Sequence, residues 1–257
     1  MILCLDIGNS HIFGGLFEGD QLRMTFRKTS RAGASSDEYG LFFRGVLKEN
    51  GFDPDAVTHV ALCSVVPDIV YSLSAACQKY FKLRPFELKA GVRTGLKILY
   101  RNPQEVGSDR IANAIAATQM YPAQNLLIID MGTATTLCAV NSELDYLGGV
   151  IIPGLRMSME ALDRGTARLG TVEIVYPKSC LGRTTASSIQ SGLYYGHLGA
   201  VREICERVVD EVFNGVRPRV LATGGFAALF EGSGMFDELV PDLVLRGLLT
   251  ALLLNQK

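Results

Sequence analysis

The sequence lacks the short motifs by which common phosphate, dinucleotide and zinc sites are recognised. No Gly-Lys dipeptide occurs in its 257 residues, which excludes a Walker A loop. The one Gly-x-Gly segment, Gly232-Ser233-Gly234, has no third glycine and lacks the strand context of a dinucleotide fingerprint. The six cysteines include no Cys-x-x-Cys pair, and the three histidines do not cluster. The sequence therefore predicts neither a zinc-ligand set nor a Ser-His-Asp hydrolase.

The sequence also has no excess of one charge. It contains 25 basic and 26 acidic residues, for a formal net charge of −1, and no run of lysine and arginine. A nucleic-acid-binding surface would need a clustered basic excess. We therefore expect no nucleic-acid partner.

Long apolar runs are missing as well. The most apolar late stretch, Leu243–Leu254, contains Arg246 and is shorter than the roughly 20 residues that a bilayer span needs. We expect a buried helix or an oligomer contact there, and no membrane partner. The N-terminal residues show no basic segment with a cleavage site, so no signal peptide is expected. Scattered cysteines favour a reducing, cytoplasmic location over a disulfide framework.

What the sequence does contain is a repeated order of elements, with 48% hydrophobic residues to build a core. Hydrophobic periodicity and turn residues predict the following elements of the first half: strand Ile2–Asp6, a hairpin of His11–Phe17 and Leu22–Lys28, helix Ser36–Asn50, strand Val60–Val66 and helix Pro67–Phe81. The second half repeats this order with strand Leu126–Asp130, a hairpin of Thr135–Val140 and Tyr146–Ile152, helix Ser187–Phe213 and strand Arg219–Ala222. A helix over Ser108–Met120 links them. We predict a duplicated α/β unit, with domains at residues 1–118 and 119–257.

The most informative motif is an aspartate–glycine turn that occurs once in each half. Asp6-Ile7-Gly8-Asn9-Ser10 and Asp130-Met131-Gly132-Thr133 each follow an apolar strand. A glycine there lets the backbone approach a phosphate, and the aspartate can act only through a cation such as Mg²⁺. One copy alone could be an ordinary turn with a capping aspartate. Two copies at equivalent points favour a site for a polyphosphate and its cation.

Three threonines lie at the end of the second turn or just after it, at positions 133, 135 and 136. Their hydroxyls could donate to phosphoryl oxygens or ligate a hard cation, although threonine is also common in strands. A further glycine pair, Gly224-Gly225, follows the last predicted strand. There it would permit close approach of a flat ring such as adenine.

The linking helix begins with Gly107-Ser108-Asp109-Arg110. Ser108 is a plausible N-cap and Asp109 suits the positive end of a helix, which would be a sufficient structural reason for both. The functional interpretation is an aspartate base beside an arginine that holds an anionic substrate. The position of the segment between the two halves favours that interpretation.

Taken together, these motifs resemble the type III pantothenate kinases, the enzymes that begin coenzyme A synthesis. The resemblance extends over essentially the full chain and rests on the order of seven segments: Asp6–Ser10, Cys63–Pro67, Tyr100 to Pro103, Gly107–Arg110, Asp130–Thr136, Gly148–Gly154 and Gly182 to Gly192. The implied fold is α/β, with two tandem ribonuclease-H-like (actin- and sugar-kinase-like) domains, each a mixed β-sheet flanked by helices. Ser108 is a small departure, because alanine is frequent there in the family.

The resemblance also implies a role for individual residues. Asp109 would be the catalytic general base on the pantothenate hydroxyl, and Asp130 would bind a monovalent cation, K⁺ or NH₄⁺. The substrate would contact Tyr100, Gly107, Ser108, Asp109, Arg110 and Thr185. ATP, with Mg²⁺, would contact Asp6, Ile7, Gly8, Asn9, Ser10, His11, Ile12, Phe13 and Thr133.

The activity implied by the resemblance is ATP-dependent phosphorylation of pantothenate by a cytoplasmic homodimer whose pocket is completed at the dimer interface. Two alternatives stay open at this stage. One is a kinase or phosphatase of the same fold for another small substrate, such as a sugar, acetate or polyphosphate. The other is a nucleotide-sensing transcriptional accessory protein.

Overall fold

The computed structural model of the chain describes residues 1–165 and 169–256, which form two compact units. The first unit comprises Met1–Leu96, Arg101–Ala116 and Leu243–Lys257, and the second comprises Lys97–Tyr100 and Ala117–Asp242. The chain therefore enters the second unit within a helix and returns to the first for its last helix. No described residues form a helix long and apolar enough to cross a membrane.

The elements follow the predicted order closely. The strands are β1 Ile2–Ile7, β2 His11–Glu18, β3 Gln21–Thr29, β4 His59–Ser64, β5 Phe86–Glu87, β6 Lys97–Ile98, β7 Leu126–Met131, β8 Ala134–Val140, β9 Asp145–Pro153, β10 Arg219–Thr223 and β11 Glu238–Leu239. The helices are α1 Ser36–Glu49, α2 Pro67–Phe81, α3 Ser108–Met120, α4 Leu155–Gly165, α5 Thr185–Phe213 and α6 Leu243–Asn255. The two-residue strands and α4 were absent from the sequence prediction.

The first unit is built on a five-stranded sheet in the order β3-β2-β1-β4-β5. Strand β1 is antiparallel to β2 and parallel to β4. Alternate residues of β1, among them Leu3, Leu5 and Ile7, belong to a core cluster that includes Phe43 of α1 and Leu73 of α2. Because side chains alternate along a strand, Cys4 and Asp6 lie on the opposite face of the sheet.

Helix α6 covers that opposite face. It contacts β1 and β4, and a Cβ atom added to Gly15, the partner of Cys4 on β2, would lie 2.7 Å from Leu245 Cδ1. The expectation of a buried helix over Leu243–Leu254 is thus met. A strand that is buried on both faces needs helices on both sides, and α6 supplies the second layer. The compact units assign α6 to the first unit. The sequence division between residues 118 and 119 would assign it to the second domain, and that division stays a prediction.

The second unit repeats this topology. Its six-stranded sheet has the order β11-β10-β7-β8-β9-β6, so β9-β8-β7-β10-β11 corresponds to β3-β2-β1-β4-β5 with β6 added at one edge. Again the central strand is antiparallel to the hairpin partner and parallel to the next strand. Its core is formed by one face of the sheet and the inner side of α5, including Leu127, Ile129, Leu193 and Val201. The duplication predicted from the order of elements is confirmed.

Candidate active site

The first aspartate turn joins β1 to β2 and is held by hydrogen bonds. Asp6 is half-buried in β1, and the turn closes through a hydrogen bond from the Gly8 N–H to His11 O at 3.0 Å. Ser30 braces it from β3's end, because its hydroxyl donates to Gly8 O at 2.6 Å and its N–H donates to Ser10 O at 3.0 Å. The Gly8 amide is therefore used inside the turn. The contact with phosphate that we expect must come from the residues after it.

The predicted nucleotide segment alternates between the core and the surface. Ile7 and Ile12 are fully buried members of the core cluster, and the Phe13 ring lies under the Arg27 guanidinium at 4.1 Å. Asn9 and His11 are exposed. Of this segment, the buried apolar residues can offer a nucleotide only backbone groups, whereas Asn9, Ser10 and His11 can also offer polar side chains.

Strand β4 connects this turn to the start of α3. Cys63 is the registered partner of Asp6 across the parallel strands, and its thiol donates a hydrogen bond to Asp6 Oδ1 at 3.3 Å. The next residue, Ser64, exchanges two hydrogen bonds with the Ser108 hydroxyl: Ser64 N donates to it and it donates to Ser64 O, both at 3.1 Å. Ser108 is already inside α3. Its hydroxyl thus ties α3 to the sheet, and the N-cap role that we predicted for it is wrong.

The candidate base, Asp109, lies on the first turn of α3. Its Oδ1 accepts a hydrogen bond from the Arg110 N–H at 2.8 Å. The same oxygen occupies the space that a side chain at Gly107 would need, since a Cβ added there would lie 2.5 Å from it. Gly107 therefore gives room to the carboxylate itself.

Burial is the main influence on the pKa of Asp109 and raises it above its ordinary value, while the Arg110 N–H and the Arg110 charge act in the opposite direction. The Arg110 side chain is buried next to it. A half-buried carboxylate with a raised pKa beside a buried guanidinium is a suitable arrangement for a general base at a site for an anionic substrate.

The second aspartate turn lies at the end of β7. Asp130 is half-buried, and a Cβ added to Gly224 would lie 2.5 Å from its Oδ1, which is too close for a real side chain. Gly224 has a φ of +93°, and the same added Cβ would lie 2.6 Å from Met131 N. The glycine at 224 thus makes room for the strand end and for Asp130, whereas an added Cβ at Gly225 meets nothing within 4 Å. Of the glycine pair, only Gly225 leaves open space for an adenine ring.

Replacement of Gly224 by alanine is expected to destabilise the protein by about 1–3 kcal/mol, because the left-handed backbone is strained for alanine and the new methyl group meets Asp130. Calorimetric melting of Gly224→Ala measures this. Gly225→Ala is the matched control, with an expected change within about 0.5 kcal/mol. Equal melting temperatures for the two variants would contradict the close approach of Gly224 and Asp130.

The three threonines do not act as one group. Thr135 is buried, and its hydroxyl lies 3.1 Å from His197 Nε2 of α5. Burial lowers the pKa of His197, so the pair is a neutral polar contact in the core. Thr133 is exposed and Thr136 is half-buried. The interpretation of all three hydroxyls as phosphate or cation ligands is therefore wrong for Thr135.

The two remaining predicted substrate residues belong to the second unit. Tyr100 is half-buried and follows β6, and Thr185 is exposed as the first residue of α5. The turn before it is ordered by a capping box between Thr184 and Ser187. A cavity of about 610 Å³ opens alongside, lined by residues that include Tyr176, Lys178, Leu181, Gly182, Arg183 and Gln190. No sequence pattern predicted this cavity.

No group of three or more His, Cys, Asp or Glu side chains in the described parts of the chain could hold a metal ion. A Mg²⁺ ion in a kinase is bound through one or two carboxylates together with substrate phosphates and water. Single half-buried carboxylates such as Asp6 and Asp130 fit that kind of binding and not a closed protein cage.

The paired mixed sheets flanked by helices define an actin- and sugar-kinase-like fold. Solved structures of other proteins share it, among them the following two. A Campylobacter jejuni protein with the provisional name of a conserved Baf family transcriptional activator has a TM-score of 0.61 at 17% identity, with 99% of this chain and 98% of that one covered. The activator of 2-hydroxyisocaproyl-CoA dehydratase from Clostridium difficile has a TM-score of 0.50 at 12% identity, covering 99% and 93%. At these identities the likeness shows the fold alone.

Sequence relationships identify the family. The sequence model of the type III pantothenate kinase family matches residues 2–207. A type III pantothenate kinase of Legionella pneumophila (strain Corby) is 56% identical over 255 residues, or 99% of both chains. Type III pantothenate kinase 1 of Francisella tularensis subsp. holarctica (strain OSU18) is 47% identical, covering 96% of this chain and 97% of its own. The chain belongs to the type III pantothenate kinase family, and the resemblance inferred from its motifs is confirmed.

Proposed function

We propose that the protein transfers the γ-phosphoryl group of ATP to the hydroxyl group of pantothenate, which gives 4′-phosphopantothenate and ADP in the first step of coenzyme A synthesis. Membership of the family supports the substrate pair. The observation that carries the chemistry is the half-buried Asp109 carboxylate, whose pKa burial raises, next to the buried Arg110.

In this mechanism Asp109 is the general base. It accepts the hydroxyl proton while the hydroxyl oxygen bonds to the γ-phosphorus, and the bond from that phosphorus to the bridging oxygen of ADP breaks. A base works best when its pKa lies near the working pH, so burial moves Asp109 in the useful direction. Arg110 supplies a permanent positive charge for the pantothenate carboxylate or amide region. The other substrate contacts would come from Tyr100, Gly107, Ser108 and Thr185.

ATP would be bound through the Asp6 turn and Thr133. Phosphoryl transfer depends mainly on positioning and charge stabilisation, and Mg²⁺ would supply positive charge that offsets the negative charge of the phosphates. Asp6 would hold this ion, with Asn9 and Ser10 donating to phosphate. The hydrogen bonds from Ser30 to Gly8 and Ser10 support the proposal, because they hold the turn in one conformation.

Asp130 would bind a monovalent cation, K⁺ or NH₄⁺. A carboxylate oxygen is a suitable ligand for such a hard cation, and Gly224 allows Asp130 to keep its place against the backbone. Replacement of K⁺ and NH₄⁺ by Na⁺ is then expected to lower the rate of pantothenate phosphorylation, measured by coupled ADP detection at constant ionic strength. Asp130→Asn is expected to be slow with every cation. An unchanged rate in Na⁺ would contradict a selective site.

We further propose a cytoplasmic homodimer. All six cysteines are free thiols, the state that a reducing compartment maintains. Exposed apolar side chains on β9 and α4, which are Ile151, Met157 and Leu162, are suited to a subunit interface. Light scattering at micromolar concentration should give the mass of a dimer, and a monomer would contradict the proposal.

The decisive experiment is a substrate panel with coupled ADP detection. We expect ADP formation that depends on pantothenate. ADP formation with a sugar or acetate but not with pantothenate would replace this substrate by another within the same fold. Tight ATP binding without turnover on any substrate would favour the nucleotide-sensing alternative.

A further inference from the structure

Cys63 is a buried polar group that the proposed mechanism does not use. It lies in β4, fully buried, on the face of the sheet that also carries Asp6. Its thiol donates to Asp6 Oδ1 at 3.3 Å, which is within the range of a sulfur hydrogen bond. The contact follows from the strand register, because Cys63 and Asp6 are direct neighbours across the parallel pair.

The surroundings of this thiol include both proposed functional aspartates. Burial, followed by the charges of Asp6 and Asp109, raises the pKa of Cys63 well above its ordinary value. The negative charges of both proposed functional aspartates therefore act on the thiol. Its neighbour Ser64 holds Ser108 at the start of α3. The end of β4 thus contacts Asp6 through Cys63 and the start of α3, next to Asp109, through Ser64.

We propose that Cys63 is a positioning residue for Asp6. The thiol holds one carboxylate oxygen, Oδ1, and so fixes the rotation of the carboxylate in the orientation that binds ATP with Mg²⁺. This inference rests on the proposed role of Asp6 as the residue on the nucleotide–metal side. Cys63 itself touches neither substrate nor nucleotide in this proposal.

Three substitutions separate hydrogen bonding from packing. Cys63→Ser keeps a donor with a smaller volume, Cys63→Val keeps an apolar volume suited to a strand but has no donor, and Cys63→Ala loses both. Cys4→Ala is the matched control, because Cys4 is buried on the same face of β1 and lies beside Ala61, the residue two before Cys63. Melting temperatures show whether each variant is folded.

The main readout is the dissociation constant of MgATP, measured by titration calorimetry without pantothenate, with kcat and both KM values as the second. Loss of the donor in Cys63→Val and Cys63→Ala is expected to weaken MgATP binding and raise its KM by about 2- to 10-fold, the equivalent of one net hydrogen bond. The KM for pantothenate should not change. Cys63→Ser and Cys4→Ala should stay within about 2-fold of the parent protein.

Two results would overturn the proposal. One is normal MgATP binding by Cys63→Val, which has no donor. The other is binding by Cys63→Ser that is as weak as that of Cys63→Val and Cys63→Ala, which would show that a donor at this position does not maintain binding. A parent protein that binds MgATP but does not phosphorylate pantothenate would refute the proposed function and leave the comparison of Cys63 variants valid. A parent protein that binds no MgATP would remove the role of Asp6 and the role of Cys63 with it.

Discussion

Asp109→Asn is expected to lower kcat for pantothenate phosphorylation by about 10²- to 10⁴-fold, the usual contribution of general-base assistance. Asparagine has the shape of aspartate and can still accept the Arg110 N–H, but it cannot take the hydroxyl proton. The KM for ATP should change little, because the loss is in the chemical step. Initial rates at saturating ATP and pantothenate measure the effect.

The same substitution should make the folded protein more stable at neutral pH. Burial raises the folded-state pKa of Asp109 above its unfolded value, so the ionised carboxylate opposes folding. The favourable contribution of this group is complete below the unfolded pKa and is lost as the pH rises through the folded pKa. Asp109→Asn removes that loss, so its melting temperature should exceed that of the parent at pH 7 and not at pH 3.

A matched control is available on α2. Asp68 is also the second residue of a helix in the first unit, but it is exposed. Asp68→Asn should leave kcat unchanged and should not stabilise the protein at neutral pH. Near-normal turnover by Asp109→Asn would remove Asp109 from the role of base, whatever its effect on melting.

Local signals predicted two helices that begin in the first unit, of which α3 carries Ser108, Asp109 and Arg110. Pro67 begins α2 and the apolar pattern ends at Phe81, and Ser108–Met120 was predicted with the bounds that the structure has. Proline at the first position of α2 and the acidic Asp109 in the first turn of α3 are typical of helix starts, and such signals depend only on near neighbours in sequence.

The long-range contacts at the candidate site could not be predicted in that way. The hydrogen bond from the Cys63 thiol to Asp6 depends on the register of two strands, and the two residues are 57 positions apart. The Thr135 hydroxyl contacts the ring of a histidine that is 62 residues away, so it is not available to a ligand. Gly224 was predicted, with Gly225, to permit close approach of a flat ring, but its missing side chain makes room for Asp130, as that of Gly107 does for Asp109. Sequence patterns identified the candidate segments, but long-range packing determines which atoms in them are available.

Helix α3 packs directly against α6, a contact that no sequence pattern predicted. A Cβ added to Gly247 of α6 would lie 1.8 Å from Ala112 O and 2.4 Å from its carbonyl carbon. Both atoms belong to the α3 backbone and cannot rotate away. Gly247 therefore lets α6 lie directly against the helix that begins with Ser108, Asp109 and Arg110.

Gly247→Ala is expected to lower the free energy of unfolding by about 1–3 kcal/mol through overpacking, a fall in Tm of about 2–4 °C for each kcal/mol in a chain of this size. It should also lower kcat, since a displacement of about 1 Å at the catalytic group can cost about 100-fold.

Gly45→Ala is the matched control within the first unit. Gly45 lies inside α1, and its added Cβ meets nothing within 4 Å. Alanine there should stabilise the protein by about 0.5–1 kcal/mol. The opposite signs for the same glycine-to-alanine change would show that close packing, and not helix propensity, governs position 247. If Gly247→Ala instead melts at or above the temperature of the parent protein, the position of α3 does not depend on this contact and the expected loss of activity has no basis.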